Sequence, residues 1–228
     1  MKPAVRRRLI QIGLLIVFQF ALLFASAGRL DWGAGWAYVI LYMAFIGYNA
    51  ALLLPRGGQE LMEERSKVGE GAKWWDRYII GMLTALSGPA ILVVAGLDER
   101  FGWSPNLTNG IQFGSGLIVA LGYLLFGWAM ASNKFFSTVV RIQKDRGHTV
   151  QTGGPYRFVR HPAYAGMIAF SIAMPFMLDS LWALIPAFIL IVVVIIRTLL
   201  EDRTLQAELE GYKEYAAKVH YRLAPGIW

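Results

Sequence analysis

The chain has 228 residues, of which 56% are hydrophobic and 16% charged, with a formal net charge of +7. Soluble domains carry about 25% charged residues, so the deficit points to lipid as the solvent and argues against a soluble enzyme. Cysteine is absent, which excludes disulfides, thiolate metal sites and a cysteine nucleophile.

In chain order, Lys2 and Arg6 to Arg8 precede an uncharged run over 9–27 that closes on Ala25-Ser26-Ala27. This start resembles a signal peptide, but an apolar run of about 19 residues is long for a signal core. It reads as a retained first span. Further runs predict helices at about 34–54, 78–97, 110–132, 164–178 and 181–199, since some 20 apolar residues cross the hydrocarbon layer. The last two form a tight helical hairpin around Asp179-Ser180. The expected fold is therefore all-α, a polytopic transmembrane bundle of about six spans. It carries a loop on one side and a C-terminal helix. Residues 1–133 form an N-terminal set of spans, and 134–228 form the region that carries the chemistry.

Charge placement orients the chain. Nineteen of the 22 Lys and Arg residues lie in the N-terminus, 55–77, 133–163 and the tail after 200, against Arg29 and Arg100 in the alternate loops. The positive-inside rule puts the basic side and both termini in the cytoplasm. Basic charge here reports topology, and no nucleic-acid partner is expected. Trp32, Trp36, Trp103 and Tyr78 near span ends read as interfacial anchors. Ser87-Gly88-Pro89 in mid-span predicts a kink. Gly110, Gly114, Gly116, Gly122 and Gly127 thin one helix for close packing. The mixed-charge segment 56–77 reads as a solvated surface connector, with a lid over a site as the alternative.

The chemistry-bearing stretch is 133–163. Gly153-Gly154-Pro155 signals a turn, and Pro162 suits the first turn of the next helix. His161 then falls at that helix's N-terminus, where free N–H groups favour an anion or carboxylate. His148, Arg160, Tyr156 and Tyr164 are close by in sequence. The histidine spacing is irregular, so no metal site is expected. Glu201 leaves the last span at the same depth as His161, and the hairpin arms bring the two together across forty residues. A carboxylate facing a basic, aromatic turn suits a cationic cofactor or ribose hydroxyls. The other tail charges read as an amphipathic helix, with Tyr212 and Tyr215 on one face.

The run from Gly154 to Gly166 resembles the G-P-Y-x-x-x-R-H-P-x-Y-x-G signature of the isoprenylcysteine carboxyl methyltransferase and phospholipid methyltransferase superfamily. His148 matches the histidine that commonly precedes it, and Glu201-Asp202 falls where the family has Glu-Glu. Tyr212 to Tyr215 and Val219 to Pro225 are similar to the family's ending. The resemblance covers about 134–225, and 1–133 match only as apolar spans.

It implies an integral-membrane methyltransferase using S-adenosylmethionine. His148, Gly154, Tyr156, Arg160, His161, Tyr164, Glu201 and Asp202 would bind that cofactor, and Arg160, His161 and Glu201 would serve the chemistry. Asp202 is one methylene shorter than the family's glutamate. The implied acceptor is a membrane lipid or other lipophilic molecule; a headgroup amine is favoured, with a carboxylate or thiol as alternatives. Two rival readings are an NADPH-dependent membrane reductase, which carries a similar R-H-P motif, and a non-catalytic transporter or assembly protein. The near absence of charge inside the spans argues against the latter.

Overall fold

A computed structural model describes residues 3–53 and 71–228. Among the described residues the chain is helical, with no strand. The helices are α1 (Pro3–Ala27), α2 (Gly33–Leu53), α3 (Trp74–Phe101), α4 (Asn109–Ser132), α5 (Pro162–Met177), α6 (Leu184–Glu208) and α7 (Tyr212–Lys218). Five of them, α1, α2, α3, α4 and α6, are long and apolar enough to cross a membrane. At 16 residues α5 is shorter, about 24 Å at the helical rise. The all-helical bundle expected from the run lengths is borne out. Of the connector expected over 56–77, residues 56–70 lie outside the described residues.

The bundle's outer surface is apolar. Leu14, Ile40, Phe113, Leu121 and Phe188 are each more than 60% exposed. In water such a surface would associate; in lipid it is the expected contact face. The chain is therefore an integral membrane protein.

Small residues fix the central seam. A Cβ at Gly122 of α4 would lie 2.8 Å from the Gly166 carbonyl, and one at Gly166 of α5 would lie 2.6 Å from the Gly122 carbonyl. The two backbones touch, and only glycine permits it. Gly127, one turn and a half further along α4, leaves room for Tyr48 and Asn49 of α2. Inside α3, Leu86–Ala90 forms a π-helical turn containing Pro89. The kink expected at Ser87-Gly88-Pro89 thus takes the form of one widened turn, because proline has no N–H for the α ladder.

The connections that follow α1, α3 and α5 meet at one end of the bundle. Arg29 reaches Glu99 at 3.2 Å, Ser180 donates to the buried Asp98 carboxylate at 2.5 Å, and the Leu107 N–H donates to Asp179 at 2.7 Å. This ties the hairpin's turn to the α3–α4 connection and holds α5 and α6 in place at that end. The other end is left to the motif loop and the tail. α6 runs to Glu208, about two turns past Leu200 at the end of its apolar run, and so carries Glu201 and Asp202 out of the apolar layer on one rigid rod.

Because the α4–α5 seam has no free volume, Gly166→Val should overpack it by about 1–3 kcal/mol. Thermal unfolding in detergent should show a lowered midpoint, while Gly114→Val, where a Cβ meets nothing within 4 Å, should leave it near that of the wild type.

Candidate functional site

The motif loop folds by its own turn chemistry. Gly154 has φ of +58°, a left-handed value that favours glycine, and an added Cβ would collide with Ser132 Oγ. Pro155 then starts a 3₁₀ turn over Gly154–Arg157 that buries Tyr156. The Tyr156 hydroxyl accepts from Asn133 Nδ2 at 3.4 Å, and its carbonyl accepts from the Tyr215 hydroxyl at 2.6 Å. Burial pushes the Tyr156 phenol well above its usual range, so it stays protonated.

His161 occupies the N-cap position of α5, and Pro162 the first turn, but the His161 side chain does not cap the helix. Its ring instead lies flat against Tyr164, with centroids 5.8 Å apart, and places Nε2 3.3 Å from Asp202 Oδ1. The backbone N–H groups of Arg160 and His161 donate to the carbonyls of Tyr221 and Arg222 at 3.0 and 2.9 Å. The tail is thereby laid along the motif.

Asp202 organises this junction. Its Oδ1 accepts from Arg160 Nε at 2.8 Å and from the Tyr212 hydroxyl at 3.1 Å, beside His161. Its Oδ2 accepts from Gln206 at 2.8 Å and from Arg160 Nη2 and Arg222 Nε, both at 3.0 Å. The carboxylate is 1% exposed. Arg160 completes its own bonds through Nη1, which donates to the carbonyls of Val219 and His220 at 2.9 and 3.0 Å.

One residue earlier on α6, Glu201 faces another way, since successive helical residues are rotated by about 100°. Its Oε2 accepts from the Tyr164 hydroxyl at 2.5 Å. Arg197, one turn back, sits over the Tyr164 ring with its guanidinium carbon 5.6 Å from the centroid. Arg197 is held by Asp76 of α3, through Nε to Oδ1 at 2.9 Å and Nη2 to Oδ2 at 3.2 Å, and by the Thr138 carbonyl at 2.8 Å. Asp76 is fully buried and also accepts the Val140 N–H at 2.6 Å.

These groups border a cavity of about 900 Å³. Part of its wall is apolar and comes from the spans, including Leu15, Phe45, Leu83, Met130 and Met167. Another part is formed by the motif loop and the outer part of α6. Six of the eight expected site residues line it, namely His148, Tyr156, Arg160, His161, Tyr164 and Glu201. Gly154 and Asp202 stand behind the wall, one shaping the turn and the other anchoring it. Sequence reasoning missed Asp76 and Asn133 as wall or support residues. One signal was available for Asp76: Arg197 lies within an apolar helix, and an arginine there needs a carboxylate partner.

His148 packs its ring 4.5 Å from that of Phe135, and its Nδ1 accepts the Gln143 N–H at 3.3 Å. Burial holds its pKa below the ordinary value near 6.5, with Arg141 and Arg146 adding to the effect and Glu201 opposing it. It is neutral at pH 7.

Fold and site together define a polytopic membrane protein with an amphiphilic cavity closed at its polar end by a motif loop and tail. The sequence model of the isoprenylcysteine carboxyl methyltransferase (ICMT) family matches residues 115–208. The match takes in most of α4, the motif loop, α5 and α6, and the superfamily resemblance seen in the motif is borne out. A protein-S-isoprenylcysteine O-methyltransferase from Schizosaccharomyces pombe is 25% identical over 130 residues, covering 54% of each chain. The chain thus spans about half the length of this curated relative.

Two outcomes test the geometry. Asp202→Ala leaves Arg160 and Arg222 without their carboxylate, and breaking such a buried pair costs about 3–5 kcal/mol. Limited proteolysis should then cleave the tail after Leu209 much faster than in the wild type. For His148 the folded pKa lies below the unfolded one, so the unfolded state takes up the proton first and stability falls as pH drops below about 6.5. Between pH 7.5 and 5.5 the melting temperature should fall less in His148→Asn than in the wild type.

Proposed function

We propose that this protein is an integral-membrane S-adenosylmethionine-dependent methyltransferase with a lipophilic acceptor, working on the cytoplasmic side of its membrane. The observation that carries this reading is the cavity that joins apolar span surface to the polar motif. A water-soluble methyl donor and a membrane amphiphile have to meet, and a cavity with one wet wall and one oily wall lets them do so without either leaving its own solvent. Its volume of about 900 Å³ sits within the range of about 300–1,000 Å³ usual for small-molecule sites. The excess of Lys and Arg on the motif side supports the orientation.

The residues present fit the methyl donor. When bound, S-adenosylmethionine supplies an electrophilic methyl group on a sulfonium, which leaves as a neutral thioether. Glu201 presents a carboxylate for ribose hydroxyls or the ammonium group, and Tyr164 fixes that carboxylate's rotamer through its hydroxyl. The rings of Tyr156 and Phe136 line the same cavity and carry π faces that attract a cation. Positioning supplies much of the rate in an in-line displacement. We assign Arg160 and His161 to positioning, because their polar atoms go to Asp202 and the tail, which hold the turn against α6. Neutral His148 adds no charge that would repel a sulfonium.

For the acceptor, a carboxylate is favoured over the headgroup amine expected from sequence alone. The name of the Schizosaccharomyces pombe relative concerns an isoprenylcysteine. Arg197 also stands in the cavity wall, and its Nη1 makes no hydrogen bond among the described residues, so it has donors to offer a carboxylate. A carboxylate is ionised at pH 7 and needs no general base. Leu83, Phe126 and Met130 give the same cavity apolar lining for a lipophilic acceptor.

Thermal shift on the purified protein tests the cofactor reading. S-adenosylhomocysteine should stabilise the protein and NADPH should not. Stabilisation by NADPH alone overturns the proposal in favour of a reductase. Glu201→Gln should weaken S-adenosylhomocysteine binding at least tenfold, the loss expected of a charged hydrogen-bond acceptor, while the protein remains monodisperse.

A further inference from the structure

Asp76 lies outside the family-matched segment, at the start of α3, yet its carboxylate is fully buried against the cavity wall. Its contacts converge on Arg197 and the loop beside it. Its two oxygens take Nε and Nη2, and Oδ2 also accepts the Val140 N–H. The Thr138 carbonyl shares Nη2. The neighbouring Lys73 N–H donates to the Val140 carbonyl at 3.1 Å, so the start of α3 and the loop at 138–140 are docked onto each other around this pair. Three points of restraint leave Arg197 one orientation, with Nη1 uncommitted among the described residues, over the ring of the tyrosine that holds Glu201.

A buried arginine without a partner would be a strong, mobile cation at the cavity wall. It would hold an anionic acceptor tightly in the ground state and withdraw electron density from the oxygen that must attack. Paired with Asp76, it keeps direction and loses most of its net field. We propose that Asp76 is a positioning residue that aims Arg197 and moderates its charge, so that an acceptor carboxylate is oriented without being over-bound. This rests on the carboxylate-acceptor reading above and deepens it. The N-terminal spans then contribute to the reaction as well as to the lipid-facing wall.

The test uses two probes, N-acetyl-S-farnesylcysteine and its methyl ester, which differ only in the anionic carboxyl. Equilibrium binding to both is measured for the wild type, Asp76→Asn, Arg197→Gln and the double variant, each as monodisperse protein, with labelled-methyl transfer to the acid in parallel. Asp76→Asn should raise the preference for acid over ester about tenfold and lower kcat at least tenfold with KM unchanged or reduced. The double variant should match Arg197→Gln in both readouts, because Asp76 acts through Arg197. Asp76→Glu keeps the charge but shifts its reach. It should move the acid-to-ester ratio in the same direction by two- to threefold, and it carries the test if the asparagine variant is not recovered folded. A ratio that the Asp76 variants do not move, including because neither probe binds, overturns the proposal, as does an equal shift with Arg197 absent. If the ratio moves as expected but wild-type protein transfers no methyl group, the methyltransferase reading fails and the Asp76–Arg197 coupling stands.

Discussion

The Asp202 carboxylate is the constraint on which the polar half of this protein depends. Six donors from four stretches of chain converge on two oxygens: Arg160 twice and His161 from the motif, Gln206 from α6, Tyr212 from α7 and Arg222 from the tail. Taking so many polar groups out of water is costly unless each finds a partner. A single aspartate at the start of the exposed part of α6 meets that condition for all of them at once. The motif loop has little apolar core of its own: Tyr156 and Ala163 pack on Ala129, and the tail keeps a small cluster around Leu209, Tyr212 and Tyr215. Without Asp202 these pieces have no common anchor.

Glu201 and Asp202 are neighbours in sequence and opposite in duty, and the helix explains why. A step of one residue turns the side chain by about 100°, so Asp202 meets the loop and tail while Glu201 meets the cavity. Two buried guanidinium–carboxylate pairs flank this point. Arg160–Asp202 ties loop to helix, and Arg197–Asp76 ties helix to the start of α3. Both lie where the apolar layer gives way to the polar face. A carboxylate there is desolvated enough to bind its partner firmly, yet close enough to the surface for polar ligands to reach the cavity beside it.

The spans contribute through what they lack. With Gly122 and Gly166 in direct backbone contact, α4 and α5 approach closely at this point, and Tyr123, Phe170 and Met174 pack into the core beside it. On the far side, Asp98, Ser104 and Ser180 lock the hairpin turn. The bundle is thus tied at one end by these hydrogen bonds, while at the other Tyr164, Glu201 and Arg197 line the cavity wall beneath the motif loop and tail.

The fold class was legible in the sequence, because lipid imposes a length and a polarity on every span and leaves the backbone no choice but a helix. The motif was legible too: Gly154, Pro155 and Pro162 act through local backbone geometry, and their consequences follow within a few residues. Even the meeting of the His161 and Glu201 regions followed from a short hairpin whose arms have similar length. What only the tertiary structure decided was partnership at long range. Asp76 and Arg197 are 121 residues apart and pair by the way α3 packs on α6. Asp202 differs from Glu201 only by a rotation about α6, which becomes meaningful once the tail's path over the motif is known. Hydrophobic length is a one-dimensional property and can be read along the chain. The pairing of buried charges depends on which helices are neighbours and how each is rotated, and that is set by packing.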